Sequence, residues 1–168
     1  MAILLIMRFL HIMSGVFWAG SLIFTARFLF PAMQDAGPDG AKVGAALARR
    51  GFMTVIPIVA LITILSGLWL YWHLSAGSPA FMRSGMGMTL GFGALCAITA
   101  FVIGMVVARP AMMRATALAQ SAAQASAAER DGMLAQAQAL RARSNAATQF
   151  VALLIGLAVA AMAVARYI

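Results

Sequence analysis

Only two histidines occur in this chain of 168 residues, His11 and His73, and both stand in strongly apolar runs. Imidazole is the commonest protein metal ligand, so two of them in such surroundings point first to a metal-bearing cofactor. His11 belongs to a stripe of polar and small residues, Arg8, His11, Ser14, Gly15, Trp18, Ser21 and Thr25, at helical three-and-four spacing. A polar face is costly against lipid and is expected to point into a helix bundle, where an ionisable group is a functional candidate by default. A second stripe, Thr63, Ser66, Gly67, Leu70 and His73, runs along a later apolar segment. If the two segments are antiparallel helices, both imidazoles reach a similar depth. A b-type haem takes two such ligands, one on each face of the porphyrin, at iron–nitrogen distances of about 2 Å. Arg8 and Arg83 are then suited to pair with the haem propionates, Gly15 and Gly67 to admit a flat macrocycle, and Trp18 to flank the cofactor.

Each of these residues also has a plainer reading. His11 could be interhelical glue, worth about 1 kcal/mol. His73 closes the run Trp69, Leu70, Tyr71, Trp72, which reads as an aromatic belt at a membrane surface. Met7, Met13, Met82, Met86 and Met88 gather toward the same end of the chain's helices, and thioethers with imidazole select Cu(I), although methionine is also an ordinary filler of apolar cores. Catalytic triads, paired carboxylates, phosphate-binding loops and HExxH motifs are absent from the sequence, and all four acidic residues fall in connecting segments. The single cysteine, Cys96, rules out an intramolecular disulfide and a thiolate cluster.

The elements that must position these residues follow from composition. The chain is 64% hydrophobic and 10% charged, against an apolar share of roughly 45–50% in soluble domains. Apolar runs at about 4–30, 52–73, 86–108 and 148–165 are each near the ~20 residues that span a bilayer as a helix. None has the alternation of a barrel strand, and a backbone in lipid must satisfy its own hydrogen bonds, so the runs are expected to be helices. The fold expected is therefore an all-α, integral membrane four-helix bundle forming a single transmembrane domain over 1–168. The first run lacks a small-residue cleavage site and reads as a retained helix. Pro31 is expected to end it, while Pro57 falls in the first turns of the second.

Four crossings put segments 32–51 and 109–147 on one side and the termini with loop 74–85 on the other. Lys42, Arg49, Arg50, Arg109, Arg114, Arg130, Arg141 and Arg143 lie on the first side, against Arg8, Arg83 and Arg166 on the second. The positive-inside rule makes the first side cytoplasmic and leaves both termini periplasmic in a bacterial inner membrane. The net charge of +8 is accounted for in this way, and nucleic acid is not an expected partner. Segment 110–147, rich in Ala and Gln, reads as a cytoplasmic helical hairpin between helices 3 and 4, with its turn at Glu129-Arg130-Asp131-Gly132. Small residues at Gly87 and Gly91, at Gly93, Ala97, Ala100 and Gly104, and at Ala152, Gly156 and Ala160 are expected to let helices approach closely, within the bundle, in a homodimer or in a larger membrane complex.

The run from Leu10 to Gly20, with its His11-x6-Trp18-x-Gly20 pattern, followed by Arg27 and Pro31, resembles the first helix of a superfamily of small bacterial membrane proteins. That group includes copper-resistance-D-like proteins, HemJ-type protoporphyrinogen oxidases and the membrane part of some urate oxidases. A general likeness extends over all four helices to the ending Ala163-Val164-Ala165-Arg166-Tyr167. The resemblance to the HemJ-type enzymes implies haem binding through His11. Those enzymes also use a lysine on a later helix, whereas the only lysine here is Lys42, in a connecting segment. Three functions are therefore expected in order: a haem-b protein of electron transfer or oxidoreductase support, a non-catalytic accessory or scaffold subunit, and copper handling.

Overall fold

The computed structural model describes the backbone of residues 1–168 and every side chain except that of Pro38. Its elements are helices α1 (Ala2–Asp35), α2 (Pro38–Arg49), α3 (Phe52–Ser75), α4 (Pro79–Met82), α5 (Gly85–Ala122) and α6 (Ala127–Tyr167), with no strand among the described residues. Four of them, α1, α3, α5 and α6, are long and apolar enough to cross a membrane, and only 11% to 28% of their most apolar windows is buried inside the protein. Much of the remaining surface faces outward. Ile3, Phe9, Val16, Leu65, Leu95 and Leu153, all exposed, form the coat that a bilayer, not water, would solvate.

The expected stop at Pro31 does not occur. A proline inside a helix lacks its N–H and clashes with the carbonyl four residues back. Here the turn before it widens: residues Thr25–Leu29 form a π turn in which the Phe30 N–H bonds Thr25 O, and the helix continues to Asp35. The same device precedes Pro110, where Gly104–Ala108 form a π turn closed by the Arg109 N–H on Gly104 O. Such bulges relieve a helix at the position where a regular turn would collide. Segment 32–51, expected as a loop, contains α2. Its alanines favour helix, and glycines with positive φ, Gly37 at +56° and Gly51 at +81°, bracket it where a side chain would be strained.

Within the bundle α1 pairs with α3 and α5 with α6, while α1 against α6 and α3 against α5 close the ring. Trp18, Ala60, Cys96, Ala100, Val151 and Ile155 form the central packed layer. Close approach of α5 to α6 runs through Gly93, where a Cβ would lie 3.3 Å from Ala158 O and 3.4 Å from the Ala161 Cβ. The inward stripe of α6 is Val151, Ile155, Ala158 and Ala161. The expected stripe Ala152, Gly156, Ala160 is turned away: Ala160 is exposed and nothing lies within 4 Å of a Cβ at Gly156. Bulkier Val151 and Ile155 fill the core better, so the helix presents them inward.

Beyond the apolar spans, the second half of α5 and the first half of α6 lie side by side. Buried Ala111, Ala115, Ala122 and Ala137 line their seam, and Ser144 Oγ donates to Ala108 O at 2.9 Å. The chain reverses at 123–126, not at 129–132, which belongs to the first two turns of α6. The reason is a capping pair legible as S-x-x-E: Ser126 Oγ donates to Glu129 Oε2 at 2.6 Å. That bond, with a second from the Ser126 backbone N–H, holds the Glu129 carboxyl below its ordinary pKa. A lowered folded-state pKa stabilises the folded form above the ordinary carboxyl range, and this contribution is lost as pH falls through the lowered value. Amide-exchange protection of Glu129 and Arg130, whose N–H groups bond Ser126 O, is thus expected to fall as pH drops below the ordinary carboxyl range, and Ser126→Ala is expected to remove that pH dependence. Equal pH dependence in both proteins would disprove the coupling.

Candidate functional site

The side chain best positioned for chemistry is His11. It sits in the interface of α1 and α3, opposite Thr63, Ser66 and Gly67, and its Nδ1 lies 2.8 Å from Thr63 O. A carbonyl can only accept, so Nδ1 is the donor. In the neutral ring this leaves the Nε2 lone pair free, and no protein group bonds Nε2 among the described residues. A backbone carbonyl that fixes the tautomer and aim of an imidazole is the usual support of a metal-ligating histidine.

Local sequence explains why the ring fits there. Gly67 has no side chain where a Cβ would come within 2.6 Å of His11 Cε1 and 3.0 Å of Nδ1. Gly67 therefore makes room for the imidazole, and not, as expected, for a macrocycle. Gly15 is ordinary packing, its Cβ position 3.5 Å from Thr63 Cγ2. Around them a small network commits the other polar groups: Thr63 Oγ1 donates to Ser14 Oγ at 2.9 Å, and Ser66 Oγ donates its one proton to Ile62 O at 2.5 Å.

His11 is part of the wall of a cleft of about 710 Å³ between the four long helices, on the side of the N-terminus. Arg8, Tyr71 and His73 also line it, while Leu4, Ile64, Leu68, Leu90, Ile98 and Val159 make most of the surface apolar. Tyr71 is anchored by its hydroxyl, which donates to Gly87 O at 3.3 Å. Sites for organic cofactors have this character, an apolar hollow with a few fixed polar groups.

The two histidines share the cleft but not the depth. His11 is level with Gly67, and His73 lies six residues further along α3, about 9 Å at 1.5 Å per residue. His73 is exposed at the rim and stacks on Trp69 with ring centroids 5.0 Å apart and planes 5° apart. Arg83, exposed in the turn after α4, does not line the cleft. Trp18, 3% exposed, belongs to the central layer and to a different cavity. The stripe that carries His11 is long enough to pass from one hollow to the other, which spacing alone does not reveal. Among the methionines, Met13 and Met88 are 54% and 60% exposed on the outer surface, so they do not converge on His11.

Thr63 is the member of this site that the residue types hide. It stands in the small polar stripe of α3, but the atom that orients His11 is its backbone carbonyl, which every residue possesses. Among the described residues no three His, Cys, Asp or Glu side chains come together to hold a metal ion. No family model, no curated protein and no solved structure matches this chain.

Proposed function

We propose that this protein binds haem b in the cleft, with His11 as the one axial ligand its histidines supply, His73 lying about 9 Å nearer the rim, and serves electron transfer or supports an oxidoreductase partner. The observation that carries the reading is the His11 Nδ1 to Thr63 O bond of 2.8 Å, which leaves Nε2 as the coordinating nitrogen. The donor set fits a porphyrin better than a bare ion. A macrocycle brings four nitrogens of its own and asks the protein for one or two. A copper ion would need His11 joined by several soft ligands, and Met13 and Met88 face outward.

A haem held there supplies one-electron exchange between ferrous and ferric iron. The chain's own residues fix the rest. Thr63 O sets the His11 tautomer, the apolar walls keep water from the bound face, and Arg8 at the rim is placed to pair with a carboxylate. In the cell we place the protein in a bacterial inner membrane. The arginine bias sets the α5–α6 hairpin in the cytoplasm and both termini in the periplasm.

The test is an absorption spectrum of protein purified after haem-replete expression, oxidised and then dithionite-reduced, with metal analysis of the same sample. A Soret band that shifts on reduction and is lost in His11→Ala is expected. A colourless protein would overturn the reading. Stoichiometric copper lost in His11→Ala would establish copper handling instead, and a metal-free protein that co-purifies with a larger complex would establish an accessory subunit.

A further inference from the structure

The central packed layer gives a depth scale for the cleft. Trp18, Ala60, Ala100 and Ile155, one from each long helix, belong to it. On its hairpin side lies the smaller hollow of Trp18 and Arg109, about 110 Å³, and on the side of the N-terminus lies the cleft of His11. Two turns from each of these residues toward the N-terminal side, about 10 Å at 1.5 Å per residue, stand His11, Gly67, Gly93 and Met162. Contacts tie these four positions together. A Cβ at Gly67 would meet His11 Cε1 at 2.6 Å, and a Cβ at Gly93 would lie 3.6 Å from Met162 Cγ. Tyr71, one turn beyond Gly67, joins the two pairs, its Oη 4.0 Å from the Cβ position of Gly91, which precedes Gly93 by half a turn.

Met162 continues the inward stripe of α6. Val151, Ile155 and Ala158 are buried at spacings of four and three, and the next position on that face is 162. Met162 is nevertheless only partly buried, because the core ends there and the cleft opens in front of it. Among the described residues it is the one methionine that lines the cleft. The two glycines of the layer carry no side chain, so at this depth the cleft is offered one imidazole, from the α1–α3 pair, and one thioether, from the α5–α6 pair.

Given haem in the cleft as proposed above, we infer that Met162 is the second axial ligand, through its sulfur. A thioether is a soft, neutral donor, and methionine opposite histidine is a known axial pair that raises the reduction potential. Filling both axial positions with protein leaves none for a substrate or for dioxygen, which assigns the cleft to electron transfer.

The experiment compares the full chain, haem-loaded in detergent, with His11→Ala, Met162→Leu, Met162→His and Met88→Leu. Leucine conserves the volume of methionine, so Met162→Leu removes the sulfur and keeps the packing on Gly93. The ferric wild type is expected to be low-spin and to show the far-red sulfur-to-iron charge-transfer band. Met162→Leu is expected to lose that band and to keep its Soret band, since His11 remains. It is also expected to become high-spin, to bind carbon monoxide when reduced and to have a lower midpoint potential. Met162→His is expected to stay low-spin without the band. Met88, 60% exposed on the outer surface, is the control, and Met88→Leu is expected to keep the band. A Soret band lost in His11→Ala with no far-red band in the wild type, or a far-red band retained in Met162→Leu, would overturn the methionine ligand and leave haem binding through His11 standing. Absence of a Soret band from the wild type would overturn both.

Discussion

Gly87→Ala is expected to destabilise the protein by about 3 kcal/mol, the upper end of the range for overpacking a closed site. A Cβ at Gly87 would lie 2.0 Å from Phe81 O, 2.9 Å from Phe81 C and 3.1 Å from the Met82 Cα. These are backbone atoms of the preceding turn and cannot swing aside as a side chain can. That turn is also fixed from both ends. Ser84 caps α5 by accepting from the Gly87 N–H at 3.1 Å, and Gly87 O accepts from Tyr71 at 3.3 Å, so moving the loop disturbs a wall of the cleft. Gly91, four residues on, is the internal control: a Cβ there meets only Tyr71 Oη at 4.0 Å, and Gly91→Ala is expected to change stability by no more than about 1 kcal/mol. Thermal unfolding of both variants in the same detergent decides the matter. Equal midpoints would mean that the Phe81 carbonyl does not cover Gly87.

Gly67→Ala is expected to uncouple His11 from Thr63 without unfolding the bundle. The new methyl would press on Cε1 and Nδ1 of the imidazole, and the ring would have to leave the position that gives the 2.8 Å bond. Removing the orienting partner of a ligating histidine typically lowers metal affinity 10–100-fold, so haem retention is expected to fall by about that factor. Gly15→Ala, in ordinary contact with Thr63 Cγ2 at 3.5 Å, is expected to retain the cofactor. Haem titration of the apoprotein gives the affinity, and the nitrogen-15 shifts of His11 report the tautomer whether or not haem binds. Unchanged His11 shifts in Gly67→Ala would show that the imidazole does not rest on Gly67.

Much of the architecture was legible in advance because lipid imposes a simple demand on a chain. A run of about 20 apolar residues without strand alternation must become a helix there, and four such runs occur. The polar stripe of α1 and the small polar stripe of α3 were legible for a related reason, since polar groups avoid lipid and turn inward. The S-x-x-E pattern at Ser126 and Glu129 was equally available. It competed with a glycine at 132 that looks like a turn and stands exposed in α6 instead, where propensity is outweighed by a capped and packed helix.

What composition and spacing determined by themselves is that four apolar helices cross, that α1 and α3 carry polar faces, and that His11 faces inward. The rest depended on axial register and rotation between helices, which are set by how side chains of particular volumes interlock and not by residue type along one strand of sequence. Register placed His11 on Gly67 and left His73 about 9 Å nearer the rim. Rotation turned Val151 and Ile155 inward ahead of the smaller stripe of α6. The relief of Pro31 and Pro110 by π turns carried α1 and α5 onward and opened the hollow at Arg109. Trp18 fell to that hollow, and not to the histidine cleft, because the two cavities occupy opposite halves of one bundle and a continuous helical stripe passes both.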